Sequence, residues 1–440
     1  MHIGIKRLFL RTAWLKIHLY LALSVGFLFA LMGLTGSFCV YRDAVDTFLN
    51  PELVVAKTDG KVQSLDRIIA AVKAANPNRH GSWTLEMPSS ADGVITAWYD
   101  KPQETFFDFH APLMVSIDPY TAEVVASRFW GKTLMTWLLD LHTQLRLDGF
   151  GWNSVGVLGL LLLVSLSSGL YLWWPGGGGI LSTFNMRVNA GQRMLVFDMH
   201  RLLGLLSAPV LLLLAFTGFH LSYPQVLEVL TGSSGMAHGE TGRVIISTAD
   251  PTNHPTTLAG ALFVARSAFP KAELRRISTP VGDTGVYRIN FRQGSEINRR
   301  HPFSTVWVDH WSGQIKEIRN PEGFSTGETL VAWVWPLHTG EAFGAKGRFV
   351  WFLAGLGLFV LYVTGLLLWL FRTGRVQDKA VNIEALRAYG ERVTKNTLRM
   401  GLVLLNKSHR QLQGIIETLP QYKIMLLKLW RRAYEAVINK

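Results

Sequence analysis

Four apolar runs, at about residues 17–41, 152–174, 196–223 and 349–371, restrict this chain more than any other feature. Each is long enough to cross a bilayer, for which a helix needs about 20 residues. A backbone inside hydrocarbon must satisfy its own hydrogen bonds, so runs of this length and composition are read as transmembrane helices. Two more polar segments, 42–140 and 224–340, lie between the first and second runs and between the third and fourth.

Charge gives the expected orientation. Lys6, Arg7, Arg11 and Lys16 precede the first run with no acidic residue among them, and the tail from Arg372 to Lys440 holds 14 basic and 5 acidic residues. Segment 42–140 holds 9 basic and 13 acidic residues, and segment 224–340 holds 11 of each sign when Glu341 is counted. Cytoplasmic flanks are enriched in lysine and arginine, so both termini are expected in the cytoplasm and both long segments outside. The net charge of +13 then reports topology rather than nucleic-acid binding, since no base-stacking or base-reading pattern accompanies it. The first run is too long for a signal-peptide core and is expected to remain as an anchor. Cys39 is the single cysteine, which excludes an intramolecular disulfide, covalent c-type haem attachment and a thiolate-bound iron–sulfur cluster.

The four runs form two copies of one pattern. His18 precedes Gly36 of Leu34-Thr35-Gly36 by 18 residues, and His200 precedes Gly218 of Phe216-Thr217-Gly218 by the same 18. Leu141-His142-Thr143 recurs as Leu337-His338-Thr339, and Gly169 and Trp173 recur as Gly365 and Trp369. Register kept over apolar sequence indicates an internal repeat. The external segments share it, because 115–124 and 306–315 both read as strand, turn and strand, with the turn opening on Asp118 or Asp309. A helix-like stretch precedes each (64–76 and 257–269), and further strands are expected near 94–99 and 285–291. Two small α+β modules are therefore expected, one in each copy.

His18 and His200 fall near the cytoplasmic starts of the first and third runs, where an ionisable side chain is expensive without a partner. His142 stands 31 residues before Trp173, about 46 Å of helix and more than the hydrocarbon thickness. His142 and His338 are thus expected on short segments at the outer surface, separated from the apolar runs by the glycine-bearing stretches 147–151 and 340–347. Structural zinc needs four ligands around one point, whereas this frame supplies two pairs at opposite depths. Paired imidazoles complete the coordination of an iron porphyrin and leave no open position, which favours electron transfer over oxygen chemistry. His220, 20 residues beyond His200, reaches the outer leaflet and stands as a substitute ligand, a proton carrier or a polar contact to the cofactor edge. Lys16 and Arg201, beside the inner histidines, either pair with haem propionates or simply satisfy the charge rule. Gly26, Gly33, Gly36, Gly204 and Gly218 offer small surfaces, suited to a flat macrocycle or equally to helix packing.

With these motifs in place, the chain resembles the PepSY-associated transmembrane family, whose members include inner-membrane ferric-siderophore reductases of Gram-negative bacteria. The resemblance rests on His18 with Leu34-Thr35-Gly36, on Leu141-His142-Thr143 with 169–175, on His200-Arg201 with Thr217-Gly218, and on 337–341 with Thr364-Gly365 and Trp369. It covers about residues 10–375 and implies that both external modules are PepSY-like and periplasmic. It further implies a four-helix haem protein carrying electrons from the cytoplasmic side to ferric chelates.

The expected architecture is an α-helical membrane protein of four transmembrane helices, arranged as two tandem pairs with an inserted module in each. Its parts are the N-terminus and first span (1–41), the first module (42–140), and the outer His segment, second span and inner loop (141–195). The third span (196–223), second module (224–336), second outer His segment with the fourth span (337–371) and a basic, helical tail (372–440) follow. The expected function is electron transfer across the bacterial inner membrane by two non-covalent, bis-His b-type haems, one on His18 and His200 and one on His142 and His338. The acceptor is expected to be a ferric siderophore or similar iron chelate; no flavin or dinucleotide fingerprint occurs, so the cytoplasmic donor lies on another protein. Trp333, Trp335 and Phe343 are placed along the approach, and Arg275, Arg276, Arg299 and Arg300 on a solvated face that also attracts anions. The rival readings are a non-redox protein that binds or inhibits a periplasmic peptidase, and a proton-coupled transporter. Against the transporter, the sequence shows neither a broken-helix signal nor a buried acidic residue in its spans.

Overall fold

The computed structural model describes residues 2–55, 58, 60–174, 184–233, 244–248 and 254–379, together with 392 and 395. The glycine connection 176–179 and most of the basic tail expected to form amphipathic helices lie outside these residues. In chain order the elements are α1 (His2–Ser24), α2 (Gly26–Val40), α3 (Arg42–Leu49), α4 (Leu65–Ala75), β1 (Thr84–Glu86), β2 (Ile95–Tyr99), β3 (Leu113–Ile117) and β4 (Val124–Phe129). Then come α5 (Leu134–Gln144), α6 (Asp148–Trp173), α7 (Gln192–Ser222), α8 (Pro224–Thr231) and α9 (Leu258–Arg266). The chain continues through β5 (Glu273–Ser278), β6 (Val286–Arg292), β7 (Thr305–Asp309), β8 (Ile315–Arg319), α10 (Thr326–Thr339) and α11 (Gly344–Arg372).

Helices α6, α7 and α11 are each long and apolar enough to cross a membrane, and α1 with α2 makes a fourth span if the pair is taken together. Many of their large apolar side chains, Phe27, Leu160, Leu206 and Phe359 among them, point outward, as lipid-facing surfaces require. The first span is not the straight helix its unbroken apolar sequence predicts. It bends by 64° between α1 and α2. Ser24 turns its hydroxyl onto the Tyr20 carbonyl at 2.6 Å, and Gly26 follows Val25 with no side chain of its own, the kind of Ser/Gly site at which helices kink.

Inside the bundle Phe29, Leu158, Leu211, Ala354, Leu358 and Leu361 form the apolar core. Backbones approach closely where α2 crosses α11, since a Cβ on Gly33 would lie 2.6 Å from the Gly355 carbonyl oxygen. Gly26 in turn faces the ring of Tyr362. These two glycines therefore pack helices and offer no surface to a macrocycle.

The two polar segments between the spans do not make separate sheets. One eight-stranded sheet runs in the order β4-β3-β2-β1-β5-β6-β7-β8, joined at its middle by antiparallel pairing of β1 with β5. Across this seam Leu85 pairs with Ile277 and Glu86 with Arg276, and the Trp83 amide donates to the Thr279 hydroxyl at 2.9 Å. Strand alternation sends Leu85, Ala97, Val115, Ile277, Ile289 and Val306 to one face. There α4 and α9 cover them, with Ile68, Ile69 and Val72 of α4 and Leu258, Ala261 and Ala265 of α9 buried. Full burial of residues such as Leu85 and Ile277 contributes roughly 2 kcal/mol each. Ser64 and Thr257 cap the two helices. Asp66 of α4 also accepts from the Leu258 amide at the start of α9, which ties the two halves together a second time. The expected turns are present, as Asp118 accepts from the amides of Tyr120 and Thr121 and Asp309 from those of Trp311 and Ser312.

Candidate functional site: two histidine couples

Each histidine of the repeated pattern is held by a neighbouring helix through its Nδ1 atom. His18 on α1 meets the Ser165 carbonyl and the Ser168 hydroxyl of α6, both at 3.0 Å. His142 on α5 meets the Met32 carbonyl at 3.1 Å and the Thr35 hydroxyl at 3.2 Å, both on α2. His200 on α7 meets Thr364 Oγ1 of α11 at 2.9 Å, and His338 on α10 meets Thr217 Oγ1 of α7 at 2.9 Å. The Leu361 and Leu214 carbonyls complete these last two sites. An Nδ1–H donated to a carbonyl fixes the tautomer and leaves Nε2 as the basic nitrogen. The hydroxyls of Thr35, Thr217 and Thr364 are themselves placed by bonds to carbonyls one turn back on their own helices.

A glycine follows each of these hydroxyl residues, and each glycine lies against the imidazole that its neighbour holds. A Cβ would stand 2.8 Å from His142 Cε1 at Gly36, 3.1 Å from His18 Cε1 at Gly169, 3.2 Å from His338 Cε1 at Gly218 and 3.4 Å from His200 Cε1 at Gly365. The repeated Thr/Ser-Gly pair is thus a seat for one ring. The hydroxyl residues Thr35, Ser168, Thr217 and Thr364 were not singled out as site residues from sequence, although they precede a repeated glycine in all four places.

The seated rings meet in couples. His18 and His200 have ring centroids 6.4 Å apart at an interplanar angle of 81°, and His142 and His338 lie 6.2 Å apart at 41°. Each couple takes one histidine from each copy of the repeat. Helix α7 serves both, with His200 in one couple and Thr217 seating a member of the other 17 residues later, about 26 Å along the helix. Among the described residues no three His, Cys, Asp or Glu side chains gather around a point, so the donor sets are pairs.

The remaining expected site residues fall as follows. His220 lies on α7, three residues beyond Thr217, only 5 % exposed, and among the described residues its Nδ1 has no hydrogen-bond partner. It is not a member of the nearby couple, which is His142 with His338. Arg201 pairs with the fully buried Asp198 at 3.1 Å and donates to the Asn185 carbonyl, so its charge is engaged within the protein. Lys16 is exposed. Asp198 and the bend at Val25 are the buried acid and broken span that the sequence reading did not anticipate, so neither absence counts against a transporter. Arg275, Arg276 and Arg300 do not form a freely solvated face; they pair with Glu273, Glu86 and Asp43 respectively. Trp333 and Phe343 are exposed, whereas Trp335 meets the His301 ring at 4.7 Å.

No curated protein matches the chain. Residues 15–372, which carry all four histidines and the whole sheet, match the PepSY-associated TM region, and the chain belongs to that family.

Proposed function

We propose that the two couples hold two b-type haems, His18 with His200 and His142 with His338, and that the protein carries electrons across the bacterial inner membrane. The observation that carries this reading is the spacing of the couples. Two imidazoles on one metal at bonds of about 2 Å place their ligating nitrogens roughly 4 Å apart and their ring centroids about 6 Å apart. The observed 6.4 and 6.2 Å agree with that span. Tethering at Nδ1 and the glycine seats further fit a rigid bis-His site with Nε2 toward the metal. Bound haem would supply a one-electron redox centre, and the protein's part would be to hold the two histidines of each couple, bury the sites and keep them in line across the apolar core.

In this reading the termini are cytoplasmic and the sheet, built of two PepSY-like modules, is periplasmic. Electrons enter from a separate cytoplasmic donor near the His18–His200 couple and leave near the His142–His338 couple. The terminal acceptor is a ferric siderophore or similar chelate, whose hard oxygen donors hold iron(II) much less strongly than iron(III). The test is the visible spectrum of the detergent-purified protein before and after dithionite. Two haems per chain are expected, with about half lost in His18→Ala and in His142→Ala. Protein from haem-replete cells that lacks a Soret band would overturn the reading.

The bend at Val25 and the buried Asp198 favour one second reading, a proton-coupled transporter in which the histidines relay protons. Substrate accumulation in proteoliposomes without any reductant would support it.

A further inference from the structure

Where the histidine-bearing helices meet the spans, the two halves of the chain expose apolar side chains at the same positions. Helices α5 and α10 each begin at a capping box, Thr133 with Thr136 and Ser325 with Glu328. Each buries one face, with Met135 and Asp140 on α5 and Val331 and Val334 on α10, and leaves a leucine and a tryptophan three residues apart on the open side. Leu134 and Leu330 are 57 % and 55 % exposed, and Trp137 and Trp333 are 42 % and 39 % exposed. The residue just before each following span completes the set, since Leu147 before α6 is 53 % exposed and Phe343 before α11 is 54 % exposed. All three pairs are related by the displacement that carries His142 to His338.

Scattered exposed apolar residues are ordinary and need no explanation. Three positions that keep both a large apolar side chain and its exposure in two copies are a different matter. The copies otherwise differ here, with Asp140 standing where the second half has Pro336 and Arg146 where it has Ala342.

Location decides what covers these side chains. Leu147 leads directly into α6, where Val157, Leu160 and Val164 are exposed, and Phe343 leads into α11, where Phe349, Val350 and Leu353 are exposed. The set therefore continues the outward surface of two helices that are long and apolar enough to cross a membrane. The sheet reaches the same level, because Phe109 packs on Trp152 near the start of α6 at 6.1 Å and Phe107 beside it is exposed. His142 and His338 turn toward each other between α5 and α10, so a soluble partner approaching from one side would cover only one copy. Lipid surrounds the bundle and meets both. Tryptophan also suits the boundary between headgroups and acyl chains, where its apolar ring and polar N–H are both accommodated.

We infer that the three pairs form a lipid-contacting collar that lodges α5 and α10 in the boundary region of one leaflet. The collar sets the depth of the His142–His338 couple in the bilayer, whatever that couple binds.

The test is power-saturation electron paramagnetic resonance on the full-length protein in nanodiscs of phosphatidylethanolamine and phosphatidylglycerol, with one chain per disc. Cys39, the single cysteine, is removed by Cys39→Ser, and a nitroxide is attached through Leu134→Cys, Leu330→Cys or, as an aqueous reference, Thr121→Cys on the exposed turn before β4. Both collar labels are expected to be relaxed by oxygen in preference to a water-soluble nickel chelate, at a depth of about 5–10 Å in the boundary. Nickel access equal to that of the Thr121 label would place α5 and α10 in water and overturn the inference. Shielding from both probes would show that protein covers the collar and would overturn it too. So would a lipid depth for one label only, because a bilayer must reach both copies. The readout does not depend on haem content, so its failure and the failure of the proposed electron transfer are separate results.

Discussion

Thr217 holds His338 through a 2.9 Å hydrogen bond although the two residues lie 121 positions apart and on different helices. The contact places a hydroxyl behind the nitrogen that does not face the metal in the proposed site. Partners of this kind set ring orientation and ligand basicity. Thr217→Val is therefore expected to lower haem affinity at the outer site by roughly ten-fold and to shift its reduction potential. Thr217→Ser should restore both. Redox-monitored spectra in which valine changes neither quantity would remove the seat from the account.

Gly36 leaves 2.8 Å between a built Cβ and His142 Cε1, closer than real Cβ contacts come. Gly36→Val should displace the ring, cost on the order of 1–3 kcal/mol of stability and disturb only the outer haem signal. A matched loss of both signals would instead indicate collapse of the bundle. Electron paramagnetic resonance of the oxidised protein distinguishes these outcomes.

Leu85 and Ile277 pair across the seam, each fully buried. Leu85→Ala should cost about 2–5 kcal/mol and weaken both halves of the sheet together. Hydrogen exchange reads this directly, since protection in β2 and in β6 should fall in parallel. Loss confined to β1–β4 would mean that the halves are energetically independent.

Burial alone would raise the Asp43 carboxyl, but Arg300 and Arg42 outweigh it and hold the group at about 2 against an ordinary 3.8. A carboxylate lowered in the folded state stabilises the fold above its unfolded value, and that contribution disappears as pH falls through the folded value. The Asp43–Arg300 pair should therefore persist at neutral pH and fail between about pH 4 and about pH 2. Melting temperatures of wild type and Asp43→Asn should converge over that interval. A constant difference down to the acid limit would show that Asp43 does not titrate there.

The histidine couples were legible because the repeat fixes register over apolar sequence, so His18 and His200 had to lie at equivalent depth. The seats were half legible: Gly36 and Gly218 stood out, while the hydroxyls before them looked like ordinary helix residues. Nothing local announces the seam, because Leu85 and Ile277 are 192 residues apart and each lies in a strand that reads as self-sufficient. The bend at Val25 was hidden for the opposite reason. The sequence around it stays apolar on both sides, so hydropathy alone reports an unbroken span.

Each imidazole couple draws one member from either half of the chain, and this has an ancestral reading. A protein of half the length could build both couples only as a homodimer, with His18 facing its own copy and His142 facing its own copy. In a single chain the two halves need not be identical, and His220, at the position that Phe38 holds in the first half, is one place where they differ.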